Sequence, residues 1–262
     1  MPDDKQLKIL ILMAYYNRPI LVKNALRSLV QANEFHQNWE LLFGDDGSHI
    51  AGKPIVEEIL GALITKVKFV QSNASFENKI ANGLVLGKFA NEAMKSTDSD
   101  VALILCDDDE LHPTYLQKLS DFFIENSNVL YAYSKIHLYN PLLQKSFEAT
   151  SLTNKYNQFN VPINPVGKLD ASQVSWRLDC CKKYGAWFAD STKHVENKPW
   201  TKDTDRSFFE NLHAKCGLCY PTGLVAQYKG IHDYQLLWHK NVQADQLKNY
   251  DNMCRELAGR KF

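Results

Sequence analysis

Three carboxylates in a row, Asp107-Asp108-Asp109, stand between Cys106 and Glu110 and follow the most apolar run of the chain, Val101-Ala-Leu-Ile-Leu105. Carboxylates bunched at the end of a buried strand are costly unless water, a partner or a cation neutralises them. Their oxygens suit a hard divalent cation, which keeps part of its coordination for water and substrate phosphates. A solvated turn or a set of helix caps is the ordinary alternative. A second acidic turn, Asp45-Asp46-Gly47-Ser48, follows the apolar run Trp39-Glu-Leu-Leu-Phe43 and favours the cation. No G-x-G-x-x-G follows the first strand and no G-x-x-x-x-G-K-[ST] occurs; Gly83 and Gly87 match only a loose spacing. Phosphates bound here would be held by a cation and scattered side chains rather than by a glycine cradle.

Such turns need strands to carry them. Apolar runs predict short buried strands over 8–14, 39–43, 66–70, 101–105 and 129–133, with 101–105 in the middle of the sheet. Between them, apolar spacing near 3.6 predicts helices from Pro19 through Val30, over 54–63, over 84–93 and over 115–124. Asn17 is a candidate cap for the first helix, with Pro19 in its first turn. In a parallel α/β sheet, ligands bind beyond the carboxyl ends of the strands, where Tyr15 to Arg18 and both acidic turns fall. The second half is less regular. Residues 140–170 read as a loop or hairpin, 171–177 as a strand, 178–184 as a short helix, 204–213 as a helix, 218–228 as extended and 243–257 as helical.

The 262 residues, 45% of them hydrophobic, can build a sizeable core, so one α/β domain is expected. Thirty basic residues balance thirty acidic ones, which argues against a nucleic-acid partner. The polar start of the chain does not read as a secretory signal, and its longest apolar runs are too short to span a bilayer. A cytoplasmic protein is expected, with peripheral attachment to the cytoplasmic membrane face as the alternative. Cys216-Gly-Leu-Cys219, with Cys180, Cys181 and His213 elsewhere, has half of a zinc-ribbon spacing, but ordinary reduced thiols explain it better.

Four segments in order carry a resemblance: Met13-Ala-Tyr-Tyr-Asn-Arg-Pro19, Asp45-Asp46-Gly47-Ser48, Phe89-Ala-Asn-Glu-Ala93 and Cys106-Asp-Asp-Asp-Glu-Leu-His-Pro113. Each is short, but together they resemble the inverting nucleotide-sugar glycosyltransferases of family 2, which have the GT-A fold. The resemblance runs from residue 8 to about residue 125. It implies a Rossmann-like mixed sheet flanked by helices. Residues 1 to about 135 would form the nucleotide-binding half, and about 136 to 262 the half that meets the acceptor and holds the catalytic base.

The resemblance also implies roles. Ala14, Tyr16 and Asp46 match positions lining the base pocket. A tyrosine ring can stack on a pyrimidine, and a carboxylate can accept the ring N3–H of uracil or thymine. That favours a UDP-sugar, with a dTDP-sugar second. Arg18 and Lys88 are phosphate-binding candidates or plain surface cations. Counting back from Pro113 makes Asp108 the direct ligand of Mn²⁺ or Mg²⁺ and leaves Cys106 where many relatives carry an aspartate. Another register makes Asp107 and Asp109 the pair, with Asp107 also near the ribose. Asp205, in Trp200-Thr-Lys-Asp-Thr-Asp-Arg-Ser-Phe-Phe209, matches the general base, with Asp203 as its rival. Asp170 is a candidate for sugar hydroxyls, Trp176 or Trp187 for a platform under a sugar, and His232 or His239 for the metal or diphosphate. The acceptor would be a glycan or glycolipid, as in polysaccharide or lipopolysaccharide assembly. A nucleotidyltransferase, a two-metal phosphodiesterase and a non-catalytic carbohydrate-binding protein are the competing classes.

Overall fold

The computed structural model describes residues 6–72, 86–140, 145–149, 160–188 and 204–230. Its first half alternates strand and helix: β1 (Ile9–Tyr15), α1 (Pro19–Ala32), β2 (Trp39–Asp45), α2 (Gly52–Leu60), a 3₁₀ turn (Gly61–Lys66), β3 (Val67–Gln71), α3 (Leu86–Ser96) and β4 (Val101–Ile104). Then come β5 (Asp109–Leu111), α4 (Tyr115–Glu125), β6 (Tyr131–Asn140) and β7 (Lys145–Ala149). A 3₁₀ turn (Ala171–Gln173), β8 (Val174–Arg177), α5 (Asp179–Lys182), α6 (Thr204–Cys216) and β9 (Tyr220–Gly230) complete it.

One mixed sheet runs β3-β2-β1-β4-β8-β6-β9-β5, with β7 beside β6. The strands β3, β2, β1 and β4 are parallel, which puts β4 centrally, as its apolarity predicts. From β8 onward the pairing is mostly antiparallel. Alternation along β1 sends Ile9, Ile11 and Met13 to one face, with α1, α2 and α4, and Leu10 and Leu12 to the other, with α3, α5 and α6. Covering both faces explains why β1 and β4 read as unbroken apolar runs.

Three expectations change. Asn17 does not cap α1: Arg18 occupies that position, and Asn17 turns left-handed at φ 51°. Residues 171–173 are 3₁₀ rather than strand because Asp170 forms a capping box with Gln173. The acidic segment itself forms β5, three residues with little strand propensity that are held by β9 (Asp109 opposite Lys229, Leu111 opposite Gln227). The expected helix at 243–257 lies outside the described residues, as do Asp203, His232 and His239.

Candidate active site at the strand ends

The loops after β1 and β2 are laced together. Asp46 N–H donates to Tyr15 O (3.0 Å) and the Tyr15 hydroxyl to Ile50 O (2.9 Å). Asn17 N–H donates to Ser48 Oγ (3.1 Å), and Asn17 Oδ1 accepts from His49 N–H (2.7 Å). Asp45 accepts from Ser48 N–H and Gly52 N–H, both at 2.8 Å, through its two oxygens. This lacing sets the half-buried Ala14, Tyr16 and Asp46 around the ends of adjacent strands. Sequence places Asn17 and Asp45 within the polar strand-end clusters but gives neither this bracing role; the local signal for both is a turn-forming residue at a strand end.

After β4 the chain turns sharply, with Asp109 N–H donating to Cys106 O (3.2 Å). A β-turn of this kind brings its first and fourth residues together and projects the middle two. Cys106 and Asp109 accordingly meet Asp170, and the ligand atoms of the three lie within 4.8 Å of one another. Asp107 and Asp108 instead meet Arg18: its Nη1 lies 2.8 Å from Asp107 Oδ1 and 3.2 Å from Asp108 Oδ2. Tyr16 N–H also donates to Asp107 Oδ2 (3.2 Å). Burial pushes the Asp107 carboxyl up to about 6, and neighbouring Asp108 adds to the rise, while the Arg18 guanidinium and the Tyr16 N–H oppose it.

The expected trio of aspartates is therefore divided. Asp109 faces Cys106 and Asp170, the other two face Arg18, and Arg18 spends its guanidinium on carboxylates. The donor set fits a cation: one thiol and two carboxylates this close can converge on one ion, and sulfur tolerates Mn²⁺ better than Mg²⁺. Asp170 also has a structural task, since its Oδ1 accepts from the N–H (3.1 Å) and hydroxyl (2.7 Å) of Ser172. Gln227 of β9, fully buried, donates to Ile104 O (2.8 Å) and Ser172 O (3.1 Å), tying the end of β4 to the segment that carries Asp170. Nothing in the local sequence marks Gln227.

Trp176 is corrected. It is 0% exposed, with its ring 4.8 Å from Phe208 and 6.3 Å from Phe188, so it packs the core and offers no face to a sugar. Trp187 is half-buried, with Lys95 Nζ 5.7 Å from its ring centre. Asp205 is half-buried in the first turn of α6, whose Phe208, Phe209 and Leu212 are buried. That helix is positioned through a relay. Asn91 of α3 exchanges two hydrogen bonds of 3.0 Å with the Phe188 backbone, and the Phe188 ring stacks on Phe208 at 3.9 Å. Lys88 lies on α3, and its side chain is outside the described residues. The described cysteines are free thiols, and among the described residues no metal-ligating group of three forms at Cys216 and Cys219. No described helix is long and apolar enough to cross a membrane.

Comparison with known proteins gives this arrangement a context. The chain is 25% identical over 203 residues to Protein CgeD of Bacillus subtilis (strain 168), covering 71% of this chain and 43% of that protein. Among solved structures, TarS 1–349 of S. aureus in complex with UDP-GlcNAc aligns with a TM-score of 0.60 at 16% identity, over 87% of this chain and 59% of that one. The mannosyltransferase PcManGT of Pyrobaculum calidifontis, in complex with GDP-Man and Mn2+, aligns at 0.61 and 12% identity, over 88% of this chain and 59% of that one. At these identities the likeness shows the fold, which is the GT-A architecture, and the chain spans about half the length of these relatives. The family model for glycosyl transferase family 2 matches residues 10–164, from β1 through both acidic turns and over more than half of the chain, and to that family the protein belongs.

Proposed function

We propose that the protein is a metal-dependent, inverting glycosyltransferase that moves a sugar from a UDP-sugar to a hydroxyl of a glycan or glycolipid. The observation that carries this reading is the turn at the end of β4, which gathers Cys106, Asp109 and Asp170 within 4.8 Å and turns Asp107 and Asp108 to Arg18. Two proteins of the same fold support it, one bound to UDP-GlcNAc and the other to GDP-Man with Mn2+. Residues 1 to about 135 hold the nucleotide, and about 136 to 262 hold the acceptor and the base. Tyr16 stacks on the base, and Asp46 accepts the uracil N3–H. Asp108 is the chief cation ligand, with Asp107 or Asp109 assisting, and Cys106 and Asp170 are a further pair of donors next to Asp109. When bound, a divalent cation, Mn²⁺ before Mg²⁺, neutralises charge on the departing diphosphate. Asp205 takes the proton of the acceptor hydroxyl as that oxygen bonds to the anomeric carbon. The bond from that carbon to the diphosphate breaks on the opposite face, releasing UDP and inverting the configuration.

Calorimetry with UDP, dTDP, GDP and CDP, with and without Mn²⁺, tests the donor site. UDP with Mn²⁺ is expected to bind tightest; tighter GDP or CDP would remove Asp46 from its role. Release of UDP from a panel of UDP-sugars then tests the chemistry. Asp205→Asn should retain UDP–Mn²⁺ affinity and lose about 10² to 10⁴ in rate. Full activity in that variant would rule the assignment out.

A further inference from the structure

Arg18 stands where a cation is expected to go. Its Nη1 lies 2.8 Å from Asp107 Oδ1 and 3.2 Å from Asp108 Oδ2, so one nitrogen serves two carboxylates that successive turn residues project together. Both acidic side chains are 7% exposed and the arginine 20%. Two adjacent carboxylates in so little solvent repel one another, and a buried charge without a counter-charge is strongly unfavourable. A guanidinium is the best-suited side chain for this, being permanently charged and forked. Yet a metal on Asp108 would then sit a few ångströms from a fixed positive charge and compete for the same oxygen.

We propose that Arg18 is the resident counter-cation of the Asp107–Asp108 pair and that a divalent cation reaches Asp108 only as Arg18 lets go. The inference rests on the glycosyltransferase reading of this site and adds its order of assembly. Arg18 is well placed to move. It is the last residue before α1 and the most exposed of the three. A nucleoside diphosphate gives the released guanidinium an anionic partner that it can bind in bidentate fashion. Diphosphate and cation therefore help each other: the anion draws Arg18 off the carboxylates, and the cation replaces it there. Such coupling is reciprocal, so each ligand tightens the other by the same factor. In the free protein the same contact keeps the acidic turn paired and holds stray cations off.

The test compares Mn²⁺ binding, by calorimetry and by the paramagnetic resonance signal of free Mn²⁺, in wild type, Arg18→Gln and Arg18→Lys. Each is measured without nucleotide and with saturating UDP, alongside circular dichroism and thermal unfolding. Wild type should bind Mn²⁺ weakly alone and at least about tenfold more tightly with UDP, a coupling of about 1.4 kcal/mol. Arg18→Gln should bind Mn²⁺ alone more tightly than wild type, bind UDP alone more weakly, and lose most of the coupling. Arg18→Lys keeps the charge and should stay near wild type for Mn²⁺ alone. Arg18→Gln binding Mn²⁺ alone no better than wild type would overturn the proposal while leaving the glycosyltransferase reading intact. So would Arg18→Lys matching Arg18→Gln, because charge would then not be the cause. Should Arg18→Gln fail to fold, Arg18→Met takes its place with the same expected and overturning results. Absence of any Mn²⁺ or UDP binding in folded wild type would sink both the proposal and the reading beneath it.

Discussion

Asp45 closes one buried parallel strand and Asp107 follows another two strands away, yet their carboxylates answer to different kinds of partner. Asp45 spends both oxygens on backbone N–H groups of its own loop, those of Ser48 and Gly52 at 2.8 Å. Those donors are seven residues away or fewer and cannot leave without unmaking the loop or the start of α2. Asp107 takes one backbone N–H, from Tyr16, but it and its neighbour Asp108 share Arg18, about 90 residues away, through a long side chain that can rotate. Asp109 and Cys106 look the other way, toward Asp170. Acid after an apolar strand therefore has two outcomes. A carboxylate satisfied by local backbone is a brace. One held chiefly by a distant side chain is not locked to its own loop in that way, which is the premise of the proposed exchange at Asp108.

This contrast is open to attack at each turn. The largest effect is expected from Asp45→Ala, which leaves two N–H groups without their acceptor, one of them buried. Stability should fall by about 2–4 kcal/mol, a drop of about 5–10 °C in Tm. UDP and Mn²⁺ affinity measured well below that temperature should change little. An unchanged Tm would show that Asp45 is no brace.

Gly52→Ala probes the same turn from the other side. A Cβ there would lie 2.5 Å from Phe43 Cε1 and 2.7 Å from Tyr15 Cδ1, closer than side-chain contacts permit. Overpacking of this kind costs about 1–3 kcal/mol, against a helix-propensity gain of at most about 1 kcal/mol. Chemical denaturation should therefore show a net loss. A gain would mean that the packing of the β2 turn against Phe43 and Tyr15 is loose.

Asp108→Ala sharpens the comparison most directly, with a smaller free energy. Its stability should stay within about 1 kcal/mol of wild type, since Arg18 retains Asp107 and the repulsion between adjacent carboxylates is removed. UDP affinity in the presence of Mn²⁺ should fall by about tenfold or more, about 1.4 kcal/mol, and should lose its dependence on Mn²⁺. A variant that unfolds readily but binds as wild type would make the β4 turn a brace like the β2 turn.

Much was legible in sequence wherever the signal was local. The runs at Val101–Leu105 and Lys8–Ala14 and the 3.6-residue spacing from Val22 to Val30 encode buried strands and an amphipathic helix without reference to anything distant. The acidic turns and the four family segments pointed to the family for the same reason. Sequence reasoning failed where a role depends on what lies opposite. Trp176 reads equally well as a sugar platform or a core ring, and only its packing on Phe208 and Phe188 decides. Residues 109–111 have little strand propensity and become β5 because β9 supplies the hydrogen bonds.

The apolar runs and the 3.6-residue spacing between them thus determined the parallel half of the sheet, its strand ends and the run of acid placed there. The division of that run between Arg18 and Asp170, the burial of Trp176 and the bracing by Asn17 and Gln227 were decided by tertiary structure alone. A side chain's polarity is written in its own position, but its partner comes from strands and helices tens of residues away, and which neighbour reaches it first is settled only when the sheet has closed.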